Sequence, residues 1–398
     1  MVSFGINLTG GGARGAYQAG VLLALSEILR DLELVGEKNP IRNWCGVSAG
    51  SINAVYCVTG VGQFHESARK LVDVWSYLKP EQVYRTDALA MGRNSVRWIR
   101  DLTFGPLFSK KLAHSLLDTE PLWNLVTDGI EYSKIQKNIA AGLIDGFACS
   151  AYSYTQGKTV TFIESKNPVS WDRARRVSLS TKIRPHHIMA SCAIPIVFPS
   201  VAFEGEAYGD GAFRSTTPIS PSIHMGDNKI LMVGVRGPTE RPNRNENLTH
   251  EKKHPKKSSA EAEVPGIAKL AGSILNALFF DTFDIDLERV RHMNEILKAL
   301  KKDVTTDRSD YTFIDTLVIQ PSRDISAIAE VKAKEGLPGT VDFMLNGLGS
   351  RHETAELASY ILFEPSFTRS LIELGYQDVK NARQDIERWM QSPPMSFA

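Results

Sequence analysis

An α/β fold built on a central, mostly parallel sheet with helices packed on it is predicted by three features of the sequence. The chain passes twice, within its first sixty residues, from a strand-like apolar run through a glycine-containing turn into a segment of helical periodicity. Strand-like runs then return between helical stretches as far as residue 319. Each turn of the first two units also carries residue types that strand-to-helix turns use for chemistry, so fold and function are read from the same places.

The first unit opens with Val2-Ser3-Phe4-Gly5-Ile6-Asn7-Leu8, which alternates well enough for a short buried strand. Thr9-Gly10-Gly11-Gly12-Ala13-Arg14-Gly15 follows directly, and Ala16 to Leu29 then carries Val21, Leu22, Leu25 and Leu29 at helical spacing. In the second unit Ile41 to Gly46 is the strand and Ser51 to Val58 begins the helix. Residues 64–140 read as helical, with Trp75, Trp98 and Trp123 as packing residues. Strands are expected at Gly146–Tyr152, Thr159–Ile163, Lys229–Val235 and Phe313–Ile319, and a short helix over Pro185 to Ala193. From Pro238 to Pro265 the composition turns polar and charged with almost no large apolar residue, which predicts a mobile, solvated insertion. Helical periodicity resumes over Ala268 to Leu300 and again from Ala355, broken at Pro365. The expected organisation is a core over 1–237, an insertion over 238–265, and a C-terminal helical extension over 266–398 with one added strand, packed on the core.

At 398 residues the chain can bury a sizeable core, and 42% hydrophobic with 23% charged residues is ordinary for a folded globular protein. A net charge of +1 gives no electrostatic reason to expect a nucleic-acid partner. Cys45, Cys57, Cys149 and Cys192 share no metal-like spacing and read as reduced, buried thiols. The first residues lack a basic segment followed by a long apolar one, and no stretch approaches the roughly 18 apolar residues that span a bilayer. The expectation is a cytoplasmic protein, with room left for peripheral contact with a membrane.

Gly46-Val47-Ser48-Ala49-Gly50 has the form G-x-S-x-G. A serine at a tight strand-to-helix turn holds a strained backbone that pushes its hydroxyl out above the sheet, and flanking glycines avoid collision with neighbouring backbone. The following helix presents its N-terminal N–H groups and dipole beneath the serine. The first loop admits two readings. Gly10-x-Gly12-x-x-Gly15 after a strand matches a dinucleotide-binding fingerprint, although Glu33 and Glu37 fall in a linker and not at the end of the next strand. Alternatively, Gly10, Gly11 and Gly12 aim backbone N–H groups above Ser48 as an oxyanion hole. Arg14 supplies a cation that orients the loop, meets a phosphate, or lies exposed at the helix start.

A Ser-His-Asp order would use His224, His292 or His352, none of which has a glycine-rich or strand-end setting. His186-His187 opens a short helix. Tyr208-Gly209-Asp210-Gly211-Ala212 instead presents an aspartate bracketed by glycines after a short strand, so Ser48 and Asp210 can form a dyad without histidine.

Gly10-Gly11-Gly12-Ala13-Arg14-Gly15, Gly46-Val47-Ser48-Ala49-Gly50 and Asp210-Gly211-Ala212, in that order, resemble the three signature elements of the patatin-like phospholipase family. Ala190-Ser191-Cys192-Ala193-Ile194-Pro195 with Phe198-Pro199 resembles the stretch that family carries before its aspartate. Leu275 to Asn294 and Tyr360 to Trp389 resemble its bacterial members with a longer C-terminal extension. Ala212 and Ser215-Thr216-Thr217-Pro218 depart from the glycine and asparagines that many members show, which bears on hydrogen bonding within that loop. The resemblance implies a three-layer α/β/α fold, a Ser48–Asp210 dyad and a lipid or acyl-ester substrate. It implies an oxyanion hole at Gly10–Gly12, with Arg14, Gly15, Gly46, Gly50 and Gly211 in support. It implies no metal and no cofactor.

Overall fold

The computed structural model describes residues 2–85, 115, 117–195, 197–213, 219–237, 281–300, 312–335 and 351–393. The expected insertion at 238–265, the stretch 266–280, Trp98 and Ser215-Thr216-Thr217-Pro218 lie outside them.

Among the described residues ten strands form one mixed, mostly parallel sheet. They are β1 Phe4–Leu8, β2 Ile41–Val47, β3 Gly146–Ser153, β4 Lys158–Ser165, β5 Asp172–Arg173, β6 Arg176–Ser180, β7 Val201–Phe203, β8 Glu206–Asp210, β9 Lys229–Val233 and β10 Asp315–Ile319. The order is β10-β9-β1-β2-β3-β4-β6-β5, with β8 also paired to β3 and β7 to β8. From β10 to β3 every pairing is parallel. The described helices are α1 Gly15–Asp31, α2 Ala49–Thr59, α3 Phe64–Tyr77, α4 Glu120–Asp128, α5 Ser133–Ala140, α6 Pro185–Ser191, α7 Ile219–His224, α8 Asp281–Leu300, α9 Ile325–Glu335, α10 Arg351–Ile361, α11 Pro365–Asn381 and α12 Arg383–Gln391.

Successive strand residues face opposite sides of a sheet, so the partners of neighbours reveal whether both faces are covered. Leu231 and Val233 of β9 join the largest apolar cluster, whereas Ile230 and Met232 join another with Ile219 and with Leu287 of α8. Trp44 and Phe147 face the first cluster, while Cys45 and Ala148 pack with Ile163 and Trp171 on the other side. Helices therefore cover both faces, and the architecture is three-layered. Trp75 is buried in the main cluster as expected, but Trp123 is 37% exposed.

One sheet feature lay outside the sequence reading. In β6 the polar Ser178 is buried and Leu179 is 42% exposed, the reverse of the usual alternation. Ser178 turns inward because its hydroxyl accepts the Trp171 N–H at 2.8 Å. In the C-terminal region β10 extends the sheet beside β9, and α11 packs along α1, tied by Lys380–Glu27 at 2.7 Å and Tyr17 Oη donating to Asp378 Oδ2 at 3.0 Å. Pro365 ends one helical stretch by opening the next, at a first-turn position where its missing N–H costs nothing.

Candidate active site

One strand edge brings the two halves of the site together. Strand β4 pairs with β3 along its whole length, Gly146 to Ser153, so β2 and β8 share the opposite edge. β2 occupies that edge up to Val47 opposite Ser150, and β8 takes over where Asp210 stands opposite Ala151. The end of β2 and the end of β8 thus meet head to head. Ser48 is the first residue past one end and Asp210 the last residue of the other.

At Ser48 the chain turns sharply, with φ 54° and ψ −130°, and α2 begins at the next residue. This is a left-handed conformation that a non-glycine residue adopts only at a cost of about 1–3 kcal/mol. The end of β1 crosses the turn so closely that a Cβ on Gly50 would strike the carbonyls of Leu8 and Thr9. A Cβ on Gly46 would lie 2.5 Å from the Gly50 carbonyl oxygen, so both flanking positions exclude side chains. The Ser48 N–H donates to Ser191 Oγ at 2.9 Å, and Ser51 Oγ donates to the Ser48 carbonyl at 2.6 Å.

Asp210 is completely buried. Its N–H donates to the Ala193 carbonyl at 2.8 Å, and its Oδ1 accepts the Ala212 N–H at 2.8 Å. Oδ2 is buried with no hydrogen-bond partner among the described residues. Burial raises the carboxyl pKa from 3.8 to about 7, opposed by the nearby Ser48 side chain and by the Ala212 amide. Segment 191–193, running off α6, therefore holds the backbone of both Ser48 and Asp210. Sequence reasoning noticed this stretch by resemblance, but nothing in its spacing marks Ser191 as the acceptor for the serine turn.

Gly10 and Gly11 continue from β1, buried beside the turn. Gly11 precedes a short 3-10 turn over Gly12–Arg14 that has no capping side chain, which leaves the amides at its start untaken by a cap. Gly12 has φ 55° and faces the Tyr360 carbonyl, which a Cβ there would strike. Gly15 opens α1 against Ala49 and Trp75, and Gly211 follows Asp210 against the Ser150 carbonyl. Arg14 is not exposed: it is 3% accessible, its Nε donates to Ser359 Oγ at 2.8 Å, and a terminal nitrogen donates to Ser326 Oγ at 3.2 Å. Its guanidinium lies 4.3 Å from the centre of the Tyr360 ring, so the cation ties the glycine loop to α9 and α10.

Ser48 and Gly12 open onto a narrow cavity of about 90 Å³. Its walls are apolar side chains of α2, α3 and α4, among them Ile52, Leu71, Trp75 and Leu122, with Ile194 and Phe363 from elsewhere in the chain. No histidine lines it among the described residues. His224, one of the three candidates by order, stacks on Trp171, and the helix-start pair His186 and His187 packs with Phe203. Among the described residues no group of three or more His, Cys, Asp or Glu side chains is arranged to hold a metal ion. No described helix is long and apolar enough to cross a membrane.

With this geometry in view, comparison with known proteins gives a family. The model for patatin-like phospholipase matches residues 7–223, more than half of the chain, and the protein belongs to that family. Membership puts it among lipid-hydrolysing enzymes. Among solved structures the chain is similar to VipD from Legionella pneumophila, at 12% identity and a TM-score of 0.34, over 94% of this chain and 67% of that one. It is also similar to human GIVD cytosolic phospholipase A2 in complex with methyl gamma-linolenyl fluorophosphonate, at 12% identity and a TM-score of 0.40, over 98% of this chain and 58% of that one. No curated protein matches.

Proposed function

We propose that the protein is a serine lipid acyl hydrolase of the phospholipase A or lysophospholipase type, with Ser48 as nucleophile and Asp210 as its base. The observation that carries this reading is the head-to-head meeting of β2 and β8 on one edge of β3, which brings a buried, half-satisfied carboxylate to a strained serine that lines an apolar cavity. Ser48 Oγ attacks the ester carbonyl carbon while Asp210 takes its proton. The tetrahedral oxyanion is met by N–H groups of Gly10, Gly11 and Gly12, each such donor contributing about 3–4 kcal/mol of transition-state stabilisation. The C–O bond to the alcohol breaks and Asp210 returns the proton to the leaving oxygen. Water, deprotonated by the same carboxylate, then cleaves the acyl-enzyme to a fatty acid and free Ser48. A carboxylate with the ordinary pKa of about 3.9 is a poor base for a hydroxyl. The raised pKa of Asp210 narrows that mismatch.

An acyl chain of a phospholipid, lysophospholipid or acylglycerol fits the apolar walls, and no cofactor enters the steps. The four cysteines are free and buried, in keeping with a cytoplasmic protein that meets lipid peripherally. We assign 1–237 to the catalytic core and 266–398 to an extension packed on it. Two observations weigh against the other readings. The Tyr360 carbonyl occupies the approach to Gly12 that a pyrophosphate would need, and no histidine shares the cavity with Ser48 among the described residues.

The test is incubation of the purified protein with a mixed lipid extract, with mass spectrometry of released acids, beside Ser48→Ala. A fluorophosphonate probe should label the wild type at residue 48 only. Saturable NAD or ATP binding without labelling would overturn the proposal, and full activity in Asp210→Asn would transfer the base to a histidine.

A further inference from the structure

The family match ends at residue 223, yet the cavity above Ser48 is closed in part by a residue 140 positions further on. Phe363 lies in the short link between α10 and α11 and is 5% exposed. Its ring stacks with Trp75 at 6.3 Å between centroids and 17° between planes, and meets Tyr84 edge-on at 6.2 Å. Trp75, like Phe363, lines the cavity.

The link is pinned at several points. Tyr84 Oη donates to the Ile361 carbonyl at 3.1 Å, and the Leu362 and Phe363 amides bond back to Ala358 and Ile361. One residue before that, the Tyr360 carbonyl abuts Gly12, and Ser359 accepts from Arg14. From the other side, Trp75 Nε1 donates to Asn53 Oδ1 at 2.8 Å, and Asn53 Nδ2 donates to the Gly15 carbonyl and to Gln18. Phe363 is therefore a rigid wall, held in register with the loop that ends β1. A rigid aromatic wall discriminates ligand length and bulk better than a mobile one, because the pocket cannot relax to admit an extra methylene.

We propose that Phe363 is a specificity-determining residue for the acyl chain: segment 359–363 completes the acyl pocket, and the Phe363 ring limits the chain length accepted. The inference rests on the hydrolase reading for the identity of its ligand. Removing the ring opens space along the wall, and enlarging it closes space.

The test uses the full chain with Phe363→Ala, Phe363→Leu and Phe363→Trp, and p-nitrophenyl esters of eight, twelve and sixteen carbons. The ratio of kcat/KM for the sixteen- over the eight-carbon ester should rise about tenfold or more in Phe363→Ala, rise less in Phe363→Leu, and fall in Phe363→Trp. The matching fatty acids are titrated against each variant in the Ser48→Ala background, with isothermal titration calorimetry as readout. Their affinities should shift in the same order. An unchanged length profile in cleavage and in binding overturns the proposal, even if only the Leu and Trp variants fold. Absence of cleavage by the wild type would instead count against the hydrolase reading, and the binding titration still decides the role of Phe363.

Discussion

Burial of Asp210 makes a quantitative claim about how stability depends on pH. The carboxyl titrates at 3.8 in an exposed chain and at about 7 in the folded one, a rise of about three units. At 1.36 kcal/mol per unit this is roughly 4 kcal/mol. Below pH 4 the folded and unfolded chains both carry the proton, and the group adds no pH dependence. Between about 4 and 7 the folded chain holds a proton that the unfolded chain has released, so folded stability falls as pH rises. Above about 7 both are ionised and the full penalty of a buried charge stands. Asp210→Asn is neutral at every pH and keeps an oxygen to accept the Ala212 N–H. Asp227, also raised to about 7 by burial, titrates in both chains and cancels in their difference. Urea unfolding of both proteins at pH 5 and pH 8.5 should therefore show the variant gaining on the wild type by about 2.5–3 kcal/mol, the part of that total that falls above pH 5. If Asp210 is the base, as proposed, the same ionisation governs turnover, and kcat/KM of the wild type should rise with pH through about 7. A stability difference that does not move between the two pH values would refute the buried-carboxylate argument. So would activity that is already maximal at pH 5.

Ser48→Gly should be more stable than Ser48→Ala by about 0.5–2 kcal/mol, because glycine relieves the strain at φ 54° and gives back only part of that gain in unfolded-chain entropy. Denaturant midpoints of the two variants check this. Ser191→Ala leaves the buried Ser48 N–H without its acceptor, which should cost about 1–3 kcal/mol in unfolding and slow labelling by a fluorophosphonate. Arg14→Lys keeps the charge but loses the fork that reaches Ser359 and Ser326 and the stacking on Tyr360. It should lower kcat more than it raises KM, as steady-state kinetics on a single ester will show. Lys229→Met removes the bonds from a fully buried ammonium to the Ser392 carbonyl and hydroxyl, at 2.6 and 3.0 Å. The expected loss is about 1.5–3 kcal/mol, with faster proteolysis beyond Trp389.

The sequence alone determined the elements and the chemistry they could carry. Apolar residues at periods of two and of 3.6 mark β1, α1, β2 and α2, because those periods are properties of the local backbone. The glycines around Ser48 are equally legible, since the tight turn that needs them spans only a few residues. Asp210 stood out only as an acid between glycines, and its burial could not be read locally. The tertiary structure alone decided that β8 takes the edge of β3 just where β2 leaves it, and so which acid meets the serine. It also turned Arg14 inward to α9 and α10, set Ser191 and Ala193 as backbone anchors, and brought Phe363 to the cavity. None of these has a local signature: each is a contact between separate elements of the chain, chosen because it satisfies buried polar groups and fills space left by the rest of the chain.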